Sequence, residues 1–245
     1  MEKALVKDTF RRDGVVVVSG FYSAGLIGGL LNDFRNYSSW DSARPNDVVY
    51  DEPTHVDAHP VKYVQFANFY VPSLSRLITT RMMGLVSSLF DQDMAFDQME
   101  VHNKAPHGGT RTPHHQDNFY FCYDPPDACT VYVPLETHRK ENGGLCFIRG
   151  SHLGETLQHE RSKVKAFSSF LDIRAGQYPP ERILETDMQP GDIVIHHGKT
   201  IHFTSENNTP MSRLSVSMRV NGEHARVSPA LREMYVKNLA YNRGV

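Results

Sequence analysis

Two side chains that bind metal ions, the imidazole of His115 and the carboxylate of Asp117, stand two residues apart in Pro113-His114-His115-Gln116-Asp117. If Gln116 is extended, both project from one face, because successive side chains along a strand alternate sides. One further histidine would complete the two-histidine, one-carboxylate set that grips Fe(II) on one face and leaves three adjacent coordination positions open. The pattern is short, and it recurs at His55-Val56-Asp57. That copy lies between Asp51-Glu52-Pro53-Thr54 and His59-Pro60, which is turn chemistry at a surface. Around the later copy, Thr112 precedes a proline and is biased to extended geometry. Asn118 to Tyr123 is rich in aromatic strand formers. The pair is therefore expected at a strand edge, with a strand over 118–123.

The missing histidine has three candidates. Gln189-Pro190-Gly191-Asp192 reads as a turn, and Ile193–Ile195 as a strand leading into His196, His197 and His202. Each of the three, taken alone, is as well explained by ordinary hydrogen bonding. Arg213 favours His202: it follows by eleven residues on the polar side of a strand, where a guanidinium can hold a carboxylate through two parallel hydrogen bonds.

These residues need a scaffold, and the chain supplies two kinds of element. Up to about Phe90 it reads mainly as helix. Ala4, Leu5 and Phe10 mark a first segment, Leu26, Ile27, Leu30, Leu31 and Phe34 a second, and Ser73 to Leu89 a third that is too apolar to be solvated. Gly14 to Gly20 reads as a short strand and residues 38–60 as a long loop. From residue 93 short runs of Val, Ile, Phe and Tyr alternate with Gly, Pro and Asn turns, which predicts an antiparallel sandwich or barrel. The expected strands are 94–103, 118–123, 128–136, 145–149, 183–188, 192–197 and 213–221. In the last, Leu214, Val216, Met218 and Val220 alternate with Arg213, Ser215, Ser217 and Arg219. One face is core, and the polar face suggests a ligand cavity. Residues 151–181, charged and rich in serine, form a long insertion that suits either a lid or a surface loop.

Composition narrows the partners. The chain has 245 residues, a formal charge of −2 and a pI near 6.7, so it offers no basic surface for nucleic acid. Val15 to Val18 is far too short to span a membrane. Cys122, Cys129 and Cys146 are an odd trio that fits neither a disulfide framework nor a thiolate metal site, and suits a reducing, cytoplasmic setting.

Taken in order, Lys104-Ala105-Pro106-His107-Gly108-Gly109, His115-Gln116-Asp117, Glu141 to His152, Pro190-Gly191-Asp192, His202-Phe203-Thr204 and Arg213 resemble the phytanoyl-CoA dioxygenase family of Fe(II)/2-oxoglutarate oxygenases. The likeness runs from about residue 96 to 221. It implies a mainly β fold, a double-stranded β-helix (a cupin-like jelly roll) with N-terminal and flanking α-helices. A single domain over 1–245 would then comprise mainly helical support (1–92), a jelly-roll core (93–221) and a C-terminal segment (222–245). It implies Fe(II) on His115, Asp117 and His202, 2-oxoglutarate as cosubstrate, O2, and hydroxylation of a small molecule with release of succinate and CO2. Arg213 would bind the remote carboxylate of 2-oxoglutarate, helped by Thr204 where the family usually has serine. Tyr132 falls where a tryptophan is frequent, and Lys62 and His102 are further cosubstrate candidates. Arg149 stands where a proline is usual. Asn118, Phe119, Tyr120, Arg149 and Arg219 are the expected substrate contacts, and the arginines suit an anionic substrate. A metal-dependent jelly-roll enzyme that does not use 2-oxoglutarate and a ligand-binding barrel without turnover are the alternatives.

Overall fold

A computed structural model describes residues 3–53 and 60–242. Its helices are α1 (Lys3–Asp13), α2 (Ala24–Asn36), α3 (Ala67–Tyr70), α4 (Thr80–Phe90), α5 (Asp117–Phe121) and α6 (Pro229–Asn242). Its strands are β1 (Val15–Val18), β2 (Val48–Tyr50), β3 (Val61–Gln65), β4 (Met94–Lys104), β5 (Thr112–His115), β6 (Ala128–Pro134), β7 (Leu145–Ile148), β8 (Glu160–Arg161), β9 (Ser169–Phe170), β10 (Ile183–Glu185), β11 (Ile193–His197), β12 (His202–Thr204) and β13 (Arg213–Gly222). Seven strands make one antiparallel sheet in the order β1-β11-β6-β13-β4-β3-β2, and four make a second in the order β10-β7-β12-β5. Strands β8 and β9 pair with each other in a small hairpin.

The period-2 pattern of β13 sets the layers. Leu214, Val216, Met218 and Val220 turn to one side of the large sheet, where they join Val101, Val131, Val133 and Ile195 in a core closed by α1, α2 and α4. Those helices bring Phe10, Leu30, Phe34, Met82 and Val86. Fully burying a side chain such as Leu30 contributes roughly 1.5–3 kcal/mol, so this apolar layer anchors the sheet. The opposite face is polar and looks toward the four-stranded sheet. Register puts Arg213, Ser215, Ser217 and Arg219 of β13 beside Lys104, His102, Glu100 and Gln98 of β4, with Tyr132 and Thr130 of β6 and His196 of β11 on the same face.

Several elements differ from the sequence reading. Residues 118–123 are not a strand: α5 runs over Asp117–Phe121, entered from Gln116 and left through Cys122 in a left-handed conformation. The aromatic run misled because Phe119 packs as a buried helical residue, and tertiary packing overrides strand propensity. The third helix is broken. A 3-10 helix over Pro72–Leu77 precedes α4, whose cap is Thr79, its hydroxyl accepting from the Met82 amide at 3.1 Å. In the N-terminal region β1 falls within the expected strand Gly14–Gly20, while β2 arises within the expected loop 38–60, and β1, β2 and β3 all join the large sheet.

Candidate active site

Strand pairing brings the triad together. His202 of β12 lies directly across from His115 of β5. Gln116 is extended (φ −116°, ψ 130°), so Asp117, although it opens α5, projects to the same side as His115. The Nε2 atoms of His115 and His202 each stand 3.5 Å from Asp117 Oδ1. These three residues form a group able to hold a metal ion.

The donors are prepared for a cation. Each Nδ1 faces a backbone carbonyl, Pro113 at 2.8 Å for His115 and Thr200 at 3.0 Å for His202. A carbonyl only accepts, so Nδ1 carries the hydrogen, and Nε2 is the atom that offers a lone pair in the neutral ring. Burial, with His115 alongside, pushes His202 well below the usual imidazole range, which keeps it neutral and ligating. Burial alone would raise Asp117, yet His202, His115 and His196 hold it well below the carboxylate range. Its second oxygen is occupied: Oδ2 accepts from Thr130 Oγ1 at 2.5 Å and His196 Nε2 at 3.0 Å, leaving Oδ1 directed at the two histidines. Two imidazoles and one anchored carboxylate are a donor set that fits Fe(II).

Behind the triad lies a buried cationic site. Arg213 is only 3% exposed, and its guanidinium donates to Gly143 O at 2.5 Å and to the Tyr132 hydroxyl at 2.6 Å. Its Nε has no hydrogen-bond partner. Lys104, also buried, donates to Thr110 O. Burial and then the charges of Arg213 and Lys62 push it well below its usual range. Lys62 donates to Thr110 Oγ1 and stands 3.9 Å from Asp51 Oδ1. A buried cation without full compensation is costly. Arg213, Lys104 and Lys62, faced among the described residues by the buried carboxylate of Asp51 and the largely buried one of Glu136, therefore suit a dianion such as 2-oxoglutarate. Thr204 accepts from the Thr112 amide at 3.0 Å, and its hydroxyl hydrogen remains able to donate to that anion.

The other expected residues are spread more widely. His102 lies on the same face, its ring 6.5 Å from Tyr132, with Nε2 3.0 Å from Ser217 Oγ. Asn118 is fully buried and donates to Tyr123 O and Thr156 Oγ1, and Phe119 stacks on His159. Arg149 acts on Asp13 at the end of α1. Arg219 pairs with Asp97 at 2.5 Å. The competing motif His55-Val56-Asp57 lies outside the described residues. Sequence reasoning missed His196 and Thr130, which hold Asp117, and His159, whose Nε2 accepts from the Gln116 amide at 3.0 Å. It also missed Phe167, which packs 5.4 Å from His115. Only His196 left a sequence signal, as one of three histidines near the same strand; the others act across folds of the chain that spacing does not encode.

A pair of facing jelly-roll sheets with a two-histidine, one-carboxylate cluster beside a buried arginine defines the architecture of a non-haem iron oxygenase. The chain belongs to the phytanoyl-CoA dioxygenase (PhyH) family, whose model matches residues 10–215. It is 31% identical over 141 residues to phytanoyl-CoA dioxygenase 1 of Oryza sativa subsp. japonica, which covers 55% of this chain and 49% of that one. It is 24% identical over 221 residues to 2-aminoethylphosphonate dioxygenase of the uncultured bacterium HF130_AEPn_1, covering 88% and 80%. Among solved structures it resembles the epimerase SnoN in complex with Fe3+, alpha ketoglutarate and nogalamycin RO, with a TM-score of 0.72, 24% identity, and 93% and 86% of the two chains covered. The chain spans about half the length of the plant relatives it matches.

Proposed function

We propose that this protein is an Fe(II)- and 2-oxoglutarate-dependent dioxygenase that hydroxylates an unactivated C–H bond of a small molecule. The observation that carries this is the convergence of three metal donors with free lone pairs beside a buried, anion-seeking Arg213. His115, Asp117 and His202 hold the iron, and Arg213 with Thr204 holds the remote carboxylate of the cosubstrate. Tyr132 buttresses Arg213 through its hydroxyl. When bound, Fe(II), 2-oxoglutarate and O2 supply the oxidising chemistry, with succinate and CO2 as coproducts. The chain's own work is positional: Thr130 and His196 fix Asp117, while Tyr120 and Phe167 flank His115 and keep water from its ring.

The relatives named above act on, or are crystallised with, small molecules, which supports a small-molecule substrate here. An anionic substrate, expected from Arg149 and Arg219, draws no support from those residues, since each faces a carboxylate of the chain. Three buried free cysteines support a reducing, cytoplasmic setting, and no helix among the described residues is long and apolar enough to cross a membrane. The test is anaerobic calorimetry of Fe(II) and then 2-oxoglutarate, followed by succinate release on admission of air. Binding of both and succinate formation are expected. Absence of 2-oxoglutarate binding to the iron-loaded protein would falsify the assignment.

A further inference from the structure

The polar face of the large sheet extends past the cosubstrate site, and its charges there do not balance. Arg213, Lys104 and Lys62 belong to the cosubstrate end. Farther along, Arg219 pairs with Asp97 and its charge also acts on Glu100, so among the described residues two carboxylates stand there against one arginine. Glu100 sits in one cross-strand row with Ser217 and Tyr132. Along the sheet it is two strand spacings and one two-residue step from Thr130, which touches Asp117, a separation of roughly 12 Å between Cα atoms. That is the reach of a small organic molecule whose far end lies near the metal.

The surroundings orient this carboxylate and hold it in its ionised form. Gln98 Nε2 donates to Oε1 at 2.8 Å, and His102 Nε2 stands 3.6 Å from Oε2. Burial would raise its pKa, but the His102 imidazole, through hydrogen bonding and charge, donation from Tyr63 and the charge of Arg219 keep it below the usual carboxylate range, so it is ionised. Its side chain is 29% exposed and that of His102 25%, so neither is sealed into the sheet. Aromatic rings complete the wall. The Tyr63 ring lies tilted 5.1 Å from that of His102, Tyr120 lies 5.7 Å from His115, and Tyr235 of α6 is 5.7 Å from Tyr120. Tyr235 also acts electrostatically on both the Tyr63 and Tyr120 phenols. Arg232, exposed on α6, lies over the Tyr235 ring at 5.7 Å and keeps its charge in solvent. An ionised carboxylate bordered by tyrosine faces is a site for an organic cation.

We propose that Glu100, framed by Tyr63 and His102, binds an ammonium group of the substrate, so that the substrate is an organic amine held by its charged end while a distant carbon meets the iron. This rests on the oxygenase reading and deepens it. The protein loaded with Fe(II) and 2-oxoglutarate under argon is titrated with three ligands of similar size, phenethylammonium, phenethyl alcohol and 3-phenylpropanoate, and binding is read by calorimetry. Wild type should bind the ammonium at least tenfold more tightly than the alcohol. Glu100→Gln, which keeps the shape and most hydrogen bonds, should bring the two within about twofold. Glu100→Lys should shift preference to the carboxylate. Thermal melts confirm that both variants are folded.

The proposal is overturned if wild type binds alcohol and ammonium alike, or if Glu100→Gln retains the preference. It is also overturned if wild type prefers the carboxylate, which would move recognition to the basic groove lined by Arg111, Arg161 and Lys163. Failure of the iron-loaded protein to take up 2-oxoglutarate in the preceding step would instead count against the oxygenase reading itself.

Discussion

At the scale of single residues, the site depends on which nitrogen or oxygen each side chain leaves free. The backbone carbonyls of Pro113 and Thr200 fix the tautomers of His115 and His202, and Thr130 with His196 takes one oxygen of Asp117. His202→Ala should therefore abolish Fe(II) binding in anaerobic titration. His197→Ala should leave it intact, because the His197 ring stacks on Phe90 beside Phe10 on the helical side of the sheet. Retention of iron by His202→Ala with loss in His197→Ala would show that the wrong histidine had been assigned. Arg213→Gln should leave iron affinity near wild type and weaken 2-oxoglutarate, since truncating a buried, hydrogen-bonded charge partner costs about 2–5 kcal/mol. An unchanged dissociation constant for 2-oxoglutarate would refute that role. Much of this was legible in the sequence: a two-residue spacing aims His115 and Asp117 together whether or not a strand continues past Gln116. The anchors of Asp117 were not legible, because Thr130 and His196 meet it only through the pairing of β6 with β11.

At the scale of elements, the segment after β7 acts on the metal site through the turn between its ligands. His159 takes the Gln116 amide on Nε2 and gives its Nδ1 hydrogen to Leu157 O at 2.9 Å, while Gln116 itself donates to Glu155 O and Lys199 O. Gln116, between two of the proposed metal ligands, is thus tied to two separate stretches of chain, residues 155–159 and Lys199. His159→Ala leaves the buried Gln116 amide without an acceptor, a loss of roughly 1–3 kcal/mol. It should also weaken iron about tenfold by loosening the spacing of His115 and Asp117. Chemical denaturation and metal titration of the variant check both; wild-type iron affinity would show that the turn holds its shape unaided. The strand alternation of β13 was readable because one face is uniformly apolar. The helix α5 was not, since its five residues are too few to display a helical period and its aromatics mimic a strand.

At the scale of the whole molecule, the fold stores several imidazoles in their neutral form, and this sets its response to acid. Burial lowers His159 and His197 to about 3, and His138 lies well below its usual range for the same reason. In the unfolded chain each titrates near the ordinary value of about 6.5. The unfolded state therefore binds more protons between these limits, so stability rises with pH there. Their contribution is fully present above about pH 6.5 and is lost progressively as pH falls toward about 3. Each histidine in that window adds a slope of up to about 1.4 kcal/mol per pH unit. Denaturant melts of the metal-free protein from about pH 7.5 down to about pH 5 should show the midpoint falling. His197→Phe isolates one contribution: phenylalanine can keep the stacking on Phe90, gives up the hydrogen bond from the Lys199 amide, and cannot take up a proton. It should flatten the pH dependence by about one such slope while leaving the ranking of the remaining variants unchanged. Stability that holds level or rises from neutral to acid pH would mean that these imidazoles are reached by solvent before the fold opens, and that the interior does not exclude their charge.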